Sequence, residues 1–333
     1  MRTRVREELA TVDAFGANGG LRRFGCESEG RLVGRIAAIV NDAVTDSSGQ
    51  VVGQVGYFEA VDDDQVAGNL FDAAFEWLRA RGVRRVWGPM NGAAHRSHRL
   101  MTAGFDRTPF LFEPRNPVYY PVLFERVGFT PCYTWCSIDV TAEQVRQAVA
   151  TLRMFPINDA LKACYDIASP ERLSSGDVLQ RLYPLLDGIW TGHLGYVSLT
   201  FAEFATVFGP ALSLMSERDF QWVVERSSQR DVGCAFTYPD HADDVRALNG
   251  NPSGWGRWRG PNSAPKRLVL HTIGLSPEAR GHGLATCLLQ RMLQHCLDNY
   301  SGGVLALAIQ EFTLVRKIAP PTRYYALFER SLD

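Results

Sequence analysis

The sequence predicts an α/β fold with mixed sheets and flanking helices, arranged as two halves of similar pattern. Two observations support this prediction. A strand, an amphipathic helix and another strand follow one another within residues 51–89 and again within residues 265–309. When the second set is shifted back by 218 positions, the apolar positions of its helix superimpose on those of the first helix. With 333 residues, the chain is long enough for two domains that each bury a core.

The first unit is predicted over residues 31–89. Two strands, "RLVGRIAAIVNDAV" and "VVGQVGYFEAV", are joined by a turn at "DSSGQ". A helix follows over about 64–81, because its apolar residues recur at helical spacing while Asp72, Glu76 and Arg79 fall on the opposite side. The short segment "VRRVWGP" is predicted to be the next strand.

The second unit begins with "PKRLVLHTIGLSP", a predicted strand of β-branched and aliphatic residues. Its helix is predicted over about 282–298, ends at the glycine pair 302–303, and is followed by the strand "VLALAI". The shift of 218 positions places Leu288 on Leu70 and Leu293 on Phe75, which indicates a duplicated unit. Residues 138–180 are predicted to be a helical connection, so the domains are expected at 1–145 and 146–333.

Composition and charge narrow the function classes. The formal net charge is -1 and the sequence pI is about 6.7, so no basic surface for DNA or tRNA is expected. No apolar run approaches the ~20 residues that cross a bilayer, and no signal peptide or membrane partner is expected. The seven cysteines are irregularly spaced, and only Cys132 and Cys136 lie close together. We therefore expect free thiols, no zinc or other metal site, and a cytoplasmic protein.

The turn before the second helix, in "SPEARGHGLATCLLQ" at residues 276–290, carries the clearest signal for binding. Gly281 and Gly283 flank one residue, so few side chains shield the first peptide N–H groups of the helix. Those N–H groups have no partner within the helix, and the helix dipole adds partial positive charge beside them. The turn is therefore suited to phosphate, with Arg280 as an additional cation. A tight strand-to-helix turn without a ligand is the alternative.

Two other phosphate-binding motifs fit this turn less well. A Rossmann turn requires a third glycine at position 286, where this sequence has Thr286. A Walker loop requires Gly-Lys followed by Ser or Thr, which is absent here.

The segment "LHTIGLSPEARGHGLATCLLQRML" resembles the acyl-CoA signature of the GNAT superfamily of N-acyltransferases. In that signature a strand and a proline precede Arg/Gln-x-x-Gly-x-Gly/Ala and a helix, and "RGHGLA" matches its variant R-G-x-G-(I/L)-A. The resemblance implies two tandem GNAT-like domains, each with a mixed, mostly antiparallel sheet flanked by helices.

The resemblance also implies a cofactor and its site. The cofactor would be an acyl-CoA, with acetyl-CoA the first choice. The backbone of Ile273, Gly274 and Leu275 would pair with the pantetheine arm as an added strand does. The pyrophosphate would be held by the residues that follow, namely Arg280, Gly281, His282, Gly283, Leu284 and Ala285.

The first half lacks these features. The same shift places Asp62, Asp63, Asp64 and Gln65 on Arg280 through Gly283, and carboxylates repel a pyrophosphate. The segment "RNPVYYPVLFERVGF" resembles a later helix of the family, but Phe124 replaces the tyrosine that often protonates the leaving thiolate. The first half is therefore expected to be a GNAT-like domain without CoA binding, with a structural or substrate-enclosing role.

Acyl transfer from a thioester to an amine requires a deprotonated amine, a hydrogen-bond donor to the carbonyl oxygen, and a proton for the thiolate. The resemblance assigns the oxygen donor to a backbone amide near Ile273. His271, on the cofactor strand, is the candidate base, with a packed histidine as the alternative. Glu311 is a candidate for binding an ammonium or acting as base, and Tyr324 or Tyr325 for the acid; ordinary surface and strand roles are the alternatives.

Three segments are candidates for the acceptor pocket. Residues 188–204 occupy the place where GNAT folds have their substrate-facing first helices. The resemblance therefore implies as substrate-binding residues Trp190, His193, Tyr196 and Glu203. The loop "GWGRWRG" at 254–260 could clamp an acceptor or be a plain hairpin. The polar segment 88–106, which includes Asn91, His95 and His98, predicts either a binding loop or a solvated crossover. His95 and His98 lack a third metal ligand.

Three functions follow from these observations. The first is an acyl-CoA-dependent N-acyltransferase that acetylates a small-molecule amine. The second is an aminoacyl-tRNA-dependent transferase of the tandem GNAT (Fem-like) type, against which the phosphate-binding turn and the near-neutral charge argue. The third is a non-catalytic protein that binds CoA or a metabolite. The acceptor, the acyl length and the oligomeric state are not encoded in any motif of the sequence.

Overall fold

The computed structural model describes residues 19–154, 159–170, 175–249 and 265–333. The strands are β1 Gly20–Ser28, β2 Arg31–Thr45, β3 Val51–Ala60, β4 Arg85–Gly88, β5 Leu100–Ala103, β6 Thr130–Thr141, β7 Tyr165–Ala168, β8 Phe220–Glu225, β9 Asp231–Pro239, β10 Arg267–Leu275, β11 Gly302–Ile309 and β12 Arg323–Ser331. The helices are α1 Asp64–Arg79, α2 Tyr120–Arg126, α3 Ala142–Arg153, α4 Asp159–Cys164, α5 Ser175–Trp190, α6 Phe201–Leu212, α7 Ala242–Ala247 and α8 Leu284–Asn299.

These strands form one sheet in the order β1-β2-β3-β4-β12-β6-β11-β10-β9-β8-β7, and β5 pairs with β12. Among the described strands, only β3 with β4 and β10 with β11 pair in parallel. The other pairs are antiparallel. The predicted mixed, mostly antiparallel sheet with flanking helices is confirmed.

The two halves exchange strands at the centre of this sheet. The last strand, β12, lies between β4 and β6, while β6 lies between β12 and β11. Buried Arg323 secures β12, because its guanidinium pairs with Glu113 at 2.9 Å and with Asp139 of β6 at 2.8 Å. The boundary between domains at residues 145 and 146 stays a prediction, since both halves contribute to a single sheet.

The strands are covered by helices on both faces. On one face, α1 packs on the first-half strands through Leu70, Phe71 and other apolar residues, and α3 with α8 covers the second-half strands. On the other face, α5 and α6 pack over β8 and β9. Adjacent residues of β9 show the alternation, because Ala235 joins the core under α8 while Phe236 joins the core under α5 and α6.

The duplicated unit is present in both halves. In each, a strand leads into a long helix and then into a strand parallel to the first. The buried positions of α1 and α8 agree under the shift of 218, with Leu70 matching Leu288 and Leu78 matching Cys296. The apolar periodicity therefore predicted the buried face of both helices correctly.

The predicted helical connection over residues 138–180 is partly wrong. Residues 138–141 complete β6, because Ile138 and Val140 pack into the core beneath α8 as an alternating strand. A further strand, β7, interrupts the helical part before α5. None of the described helices combines the length and the apolar character that crossing a bilayer requires.

Candidate active site

The parallel strands β10 and β11 of the second half are paired over only part of their length. Their pairing ends at Leu270 with Leu305, although β10 continues to Leu275 and β11 to Ile309. The register of β10 against β9 shifts between Leu270 and Thr272, and in β11 Leu307 has a φ of 53°. Such irregularities bend strands. A cleft therefore opens between the ends of β10 and β11.

The end of β10 leads to the predicted phosphate turn. A short 3₁₀ helix, Pro277–Ala279, precedes Gly281 and Gly283, whose φ angles are 81° and 78°. Glycine is favoured at both positions because other residues cost about 1–2 kcal/mol in the left-handed region. Gly283 is the N-cap of α8, and no side chain caps this end. A Cβ atom at either glycine would meet nothing within 4 Å, so the turn is open to an anion.

The predicted cofactor residues form one continuous path. Ile273, Gly274 and Leu275 end β10, and Leu284 and Ala285 begin α8. Within the intervening turn, the exposed side chain of Arg280 donates from Nε to the carbonyl oxygen of Leu275 at 3.1 Å. His282 is also exposed. The path joins the strand edge to the helix entrance, as the acyl-CoA prediction requires.

The corresponding helix entrance in the first half is closed by carboxylates. Three residues connect β3 to α1, whereas eight connect β10 to α8. Asp63 caps α1 by accepting from the backbone N–H groups of Gln65 at 2.8 Å and Val66 at 3.0 Å. Asp64 pairs with Arg126 of α2. These contacts use the groups that an anion would need.

The strand opening in the first half is filled by the protein's own chain. Pairing of β3 with β4 ends at Gln54 with Trp87. Beyond it, the backbone N–H of Met90 donates to the carbonyl oxygen of Val55 at 2.8 Å, and the side-chain oxygen of buried Asn91 accepts from the backbone N–H of Tyr57 at 2.8 Å. Residues 90–91 thus lie where the second half has its cleft.

His271, the predicted base, lies at the bulge where the cleft begins. Its ring stacks on Phe236 at 5.7 Å and 14° and lies 5.7 Å from the ring of Tyr238. The residue is exposed, yet the protein atoms crowded around the ring and, to a smaller extent, the charge of Arg99 lower its pKa to about 4. His271 is therefore neutral at pH 7 and a weaker base than an ordinary histidine, and its Nδ1 lies 2.8 Å from the hydroxyl oxygen of Thr272.

The two candidate tyrosines point to opposite faces of β12. Tyr324 is 44% exposed, whereas Tyr325 is fully buried and donates its hydroxyl hydrogen to Glu113 at 2.6 Å. Burial and the carboxylate of Glu113 raise the pKa of Tyr325. Glu311 is exposed just beyond β11. Tyr324 and Glu311 are thus surface residues, and their catalytic roles stay predictions.

Two of the four predicted acceptor residues make local hydrogen bonds. Tyr196 donates its hydroxyl hydrogen to Asp187 at 2.8 Å. Glu203 accepts from the backbone N–H of Thr200 at 2.8 Å as part of a capping box at the start of α6. The Glu203 carboxylate therefore has a structural role that binding of an ammonium would disturb.

The other two acceptor residues flank the same loop. The ring of Trp190 lies 5.6 Å from that of Phe208. His193 is exposed, and its pKa is lowered by partial burial and by the charge of Arg280, which places it near the phosphate turn. The backbone of this loop also meets the polar segment 88–106, because Ala94 donates to Gly195 at 2.8 Å. The predicted loop 254–260 lies outside the described residues.

Sequence reasoning missed a polar cluster on the face of the sheet that carries His271. It consists of His98, Arg99, Glu113, Trp135 and Tyr325. The guanidinium of Arg99 lies 4.1 Å from the centre of the Trp135 ring and bonds to His98. The polar composition of segment 88–106 was the available signal. Tyr325 was a candidate acid, but its place beside Trp135 had no signal in the sequence, because only the pairing of β6 with β12 brings the two residues together.

The described residues contain no group of three His, Cys, Asp or Glu side chains that could hold a metal ion. His98 is engaged through Nδ1 with the carbonyl oxygen of Arg96 at 2.8 Å and through Nε2 with Arg99. Because both ring nitrogens of His98 are engaged, His95 and His98 cannot bind one metal ion together in this arrangement.

Comparison with known proteins agrees with this geometry. Residues 210–313 match the model of the Acetyltransferase (GNAT) family. Protein YghO of Escherichia coli is 28% identical over 257 residues, which cover 75% of this chain and 64% of YghO. The Bacterial ceramide synthase of Caulobacter vibrioides is 26% identical over 235 residues, covering 69% of this chain and 60% of that protein. The chain thus spans less than two thirds of each of these relatives.

A solved structure supports the fold across the whole chain. The GCN5-related N-acetyltransferase from Sphaerobacter thermophilus has a TM-score of 0.50 and 12% identity, covering 100% of this chain and 86% of that one. The family match and the duplicated strand–helix–strand unit agree with the resemblance identified from the glycine motif. Residues 210–313 thus match the GNAT family, and the chain as a whole shares the fold of a GCN5-related N-acetyltransferase.

Proposed function

We propose that this protein is an acyl-CoA-dependent N-acyltransferase. The observation that carries the proposal is the open entrance of α8, where uncapped peptide N–H groups and two left-handed glycines adjoin the cleft between β10 and β11. Both features lie within residues 210–313, which match the family model. Acetyl-CoA is the donor to test first, with the amine of a small molecule as acceptor.

The residues of the second half divide the work. Arg280 through Ala285 bind the CoA pyrophosphate, and the free edge of Ile273–Leu275 binds the pantetheine arm. A backbone N–H near Ile273 donates to the thioester carbonyl oxygen, which stabilises negative charge as the amine nitrogen attacks the carbonyl carbon. Neutral His271 accepts the proton that the nitrogen loses. The C–N bond forms, the C–S bond breaks, and the CoA thiolate takes up one proton.

A second class of substrate is favoured by one relative. A protein 26% identical over 69% of this chain is a bacterial ceramide synthase. A ceramide is the amide of a fatty acid with a long-chain amino alcohol. We therefore include a long-chain acyl donor and a lipid amine among the substrates to be tested.

Calorimetry tests binding first. The titrants are acetyl-CoA, palmitoyl-CoA, free CoA and aminoacylated tRNA. We expect the CoA compounds to bind and the tRNA not to bind, because the formal net charge is only -1. Tight binding of charged tRNA without binding of CoA would instead support the aminoacyl-tRNA-dependent alternative.

Transfer is then measured as release of free thiol from acetyl-CoA and palmitoyl-CoA in the presence of an amine panel. The panel contains small primary amines, amino acids and a long-chain amino alcohol. Amine-dependent thiol release with formation of the amide supports the enzyme. Binding of acyl-CoA without turnover on any amine would favour the non-catalytic protein.

A further inference from the structure

Arg99 is a cation near the candidate reaction centre. Among the described residues it has no ion-pair partner, whereas nearby Arg323 pairs with both Glu113 and Asp139. Its guanidinium lies against the face of Trp135, 4.1 Å from the ring centre. Arg99 is half-buried, so its guanidinium loses part of its hydration, which a bound anion would compensate.

The neighbouring histidine fixes the orientation of this cation. His98 lies 2.8 Å from the carbonyl oxygen of Arg96 through Nδ1. Because a carbonyl oxygen only accepts, Nδ1 carries the hydrogen, and Nε2 is left to accept from Arg99. The same imidazole packs edge-on against Trp135 at 5.4 Å. Arg99 thus uses one side of its planar group for the protein and keeps other N–H donors for a ligand.

The place of Arg99 ties the first half to the reaction centre of the second. Its positive charge acts on His271 of β10, whose pKa it lowers, and the phenol of Tyr325 acts in turn on Arg99. Burial lowers the pKa of Arg99 itself to about 9, so the guanidinium remains charged at pH 7. The first half therefore supplies a cation to the face of the sheet on which His271 lies.

We propose that Arg99 binds a carboxylate of one of the two substrates. This inference rests on the proposed acyltransferase function and names the substrate class. A single guanidinium carries one charge, and its parallel N–H groups match the two oxygens of a carboxylate. Neutral His98 adds no second charge, which favours a monoanion over a phosphate group. The carboxylate belongs either to the amine acceptor, as in an amino acid, or to the acyl group of a dicarboxylic acyl-CoA.

Matched substrate pairs distinguish the two sources. On the acceptor side, the full chain is titrated with glycine against glycinamide and with phenylalanine against phenylalaninamide. On the donor side, succinyl-CoA is compared with acetyl-CoA. We expect the carboxylate member to bind about 10- to 100-fold more tightly on one side, as charge-assisted hydrogen bonds do. Equal binding within every pair overturns the proposal.

Two variants and a control assign the discrimination to Arg99. Arg99→Gln is expected to abolish it, and Arg99→Lys to retain part of it because charge remains without the planar fork. Arg81→Gln is the control, since exposed Arg81 covers the Trp77 ring at 3.7 Å in the same manner. Discrimination that survives in Arg99→Gln overturns the proposal.

The same assays separate this inference from the proposed function. Carboxylate discrimination in binding that depends on Arg99, without acyl transfer to any amine, would refute the acyltransferase while the carboxylate site stands. Transfer that shows no preference within the pairs would refute the site while the acyltransferase stands.

Discussion

In the first half of the chain, β3 leads through three residues to a helix capped by Asp63; in the second, β10 leads through eight residues to a helix that begins at Gly283. The buried faces of the two helices nevertheless match, so both units keep the same core packing. At the entrance of the two helices, the difference lies in the connection. The two units thus keep the same helix packing while differing in loop length, in capping residue and in the anion site that we propose for the second.

The two units also differ in whether the opening beyond their strands is filled. Residues 90–91 fill the opening beyond β3, while no backbone group of the described residues pairs across the opening between β10 and β11. The first unit satisfies its strand edge with its own backbone and the Asn91 side chain. The second leaves such an edge for the pantetheine arm that we propose. Closure of one cleft and opening of the other fit our proposal that the second half carries the chemistry while the first half supports the fold.

Installing the first-half residue in the second-half turn should produce the largest effect. In the register that superimposes the helices, Asp63 falls on Gly281, so Gly281→Asp should weaken CoA binding by about 100-fold through charge repulsion and left-handed strain. Calorimetry with CoA measures it. Gly49→Asp is the control, because Gly49 has a φ of 79° and an equally open surround. Unchanged CoA affinity in Gly281→Asp would contradict the site.

Residues 90–91, which fill the opening beyond β3 and are here called the plug, should contribute to stability. Asn91→Ala leaves the buried backbone N–H of Tyr57 without its acceptor, and we expect a loss of about 1–3 kcal/mol in the free energy of unfolding. Urea denaturation measures it against Gln147→Ala, an exposed amide on α3, expected within about 0.5 kcal/mol of the parent. A loss as small as that of the control would show that the plug is dispensable.

Uncapping α1 should have a smaller effect. Asp63→Ala removes the acceptor for two backbone N–H groups and should cost about 1 kcal/mol of unfolding free energy. We expect no gain of CoA binding at this helix, since its connection lacks the glycine turn. Asp62→Ala, an exposed neighbour that does not cap the helix, provides the comparison. A second equivalent of bound CoA in Asp63→Ala would refute the contrast between the halves.

The smallest expected effect is that three histidines should not titrate near neutral pH. The pKa of His271 and that of His95 lie at about 4 because burial disfavours their charged forms, and the pKa of His98 is also lowered. Between pH 5.5 and 8 the NMR signals of these histidines should therefore not shift. The signal of His271 is assigned as the one that is missing from the spectrum of His271→Gln. A titration of that signal with a midpoint near pH 6.5 would refute the lowered pKa of His271.

The same pKa values set the sign of a stability effect. The native pKa of each of these histidines lies below the unfolded value of 6.5, so the unfolded chain binds protons that the native state excludes. Stability is therefore present above pH 6.5 and declines as the pH falls from 6.5 towards 4.

Much of the second-half site was predictable because it is local. Periodicity predicts the approximate bounds of both long helices and of the strands beside them. A contiguous motif predicts the segment from Ile273 to Ala285. The plug was not predictable, because nothing in "GPMNG" indicates that Asn91 would meet Tyr57 of another strand. Arg99 was visible only as one of several cations in a polar loop.

The sequence alone determined the two apolar helix faces, the glycine turn with its bare peptide N–H groups, and the acidic start of the first-half helix. Each depends on residues that are neighbours along the chain, where spacing and side-chain size decide the outcome. Only the tertiary structure decided the exchange of β6 and β12, the closure of one cleft, the contact of Arg99 with Trp135, and the effect of Arg99 on the pKa of His271. Those depend on strand pairing between distant segments, and no local pattern carries the register of such pairs.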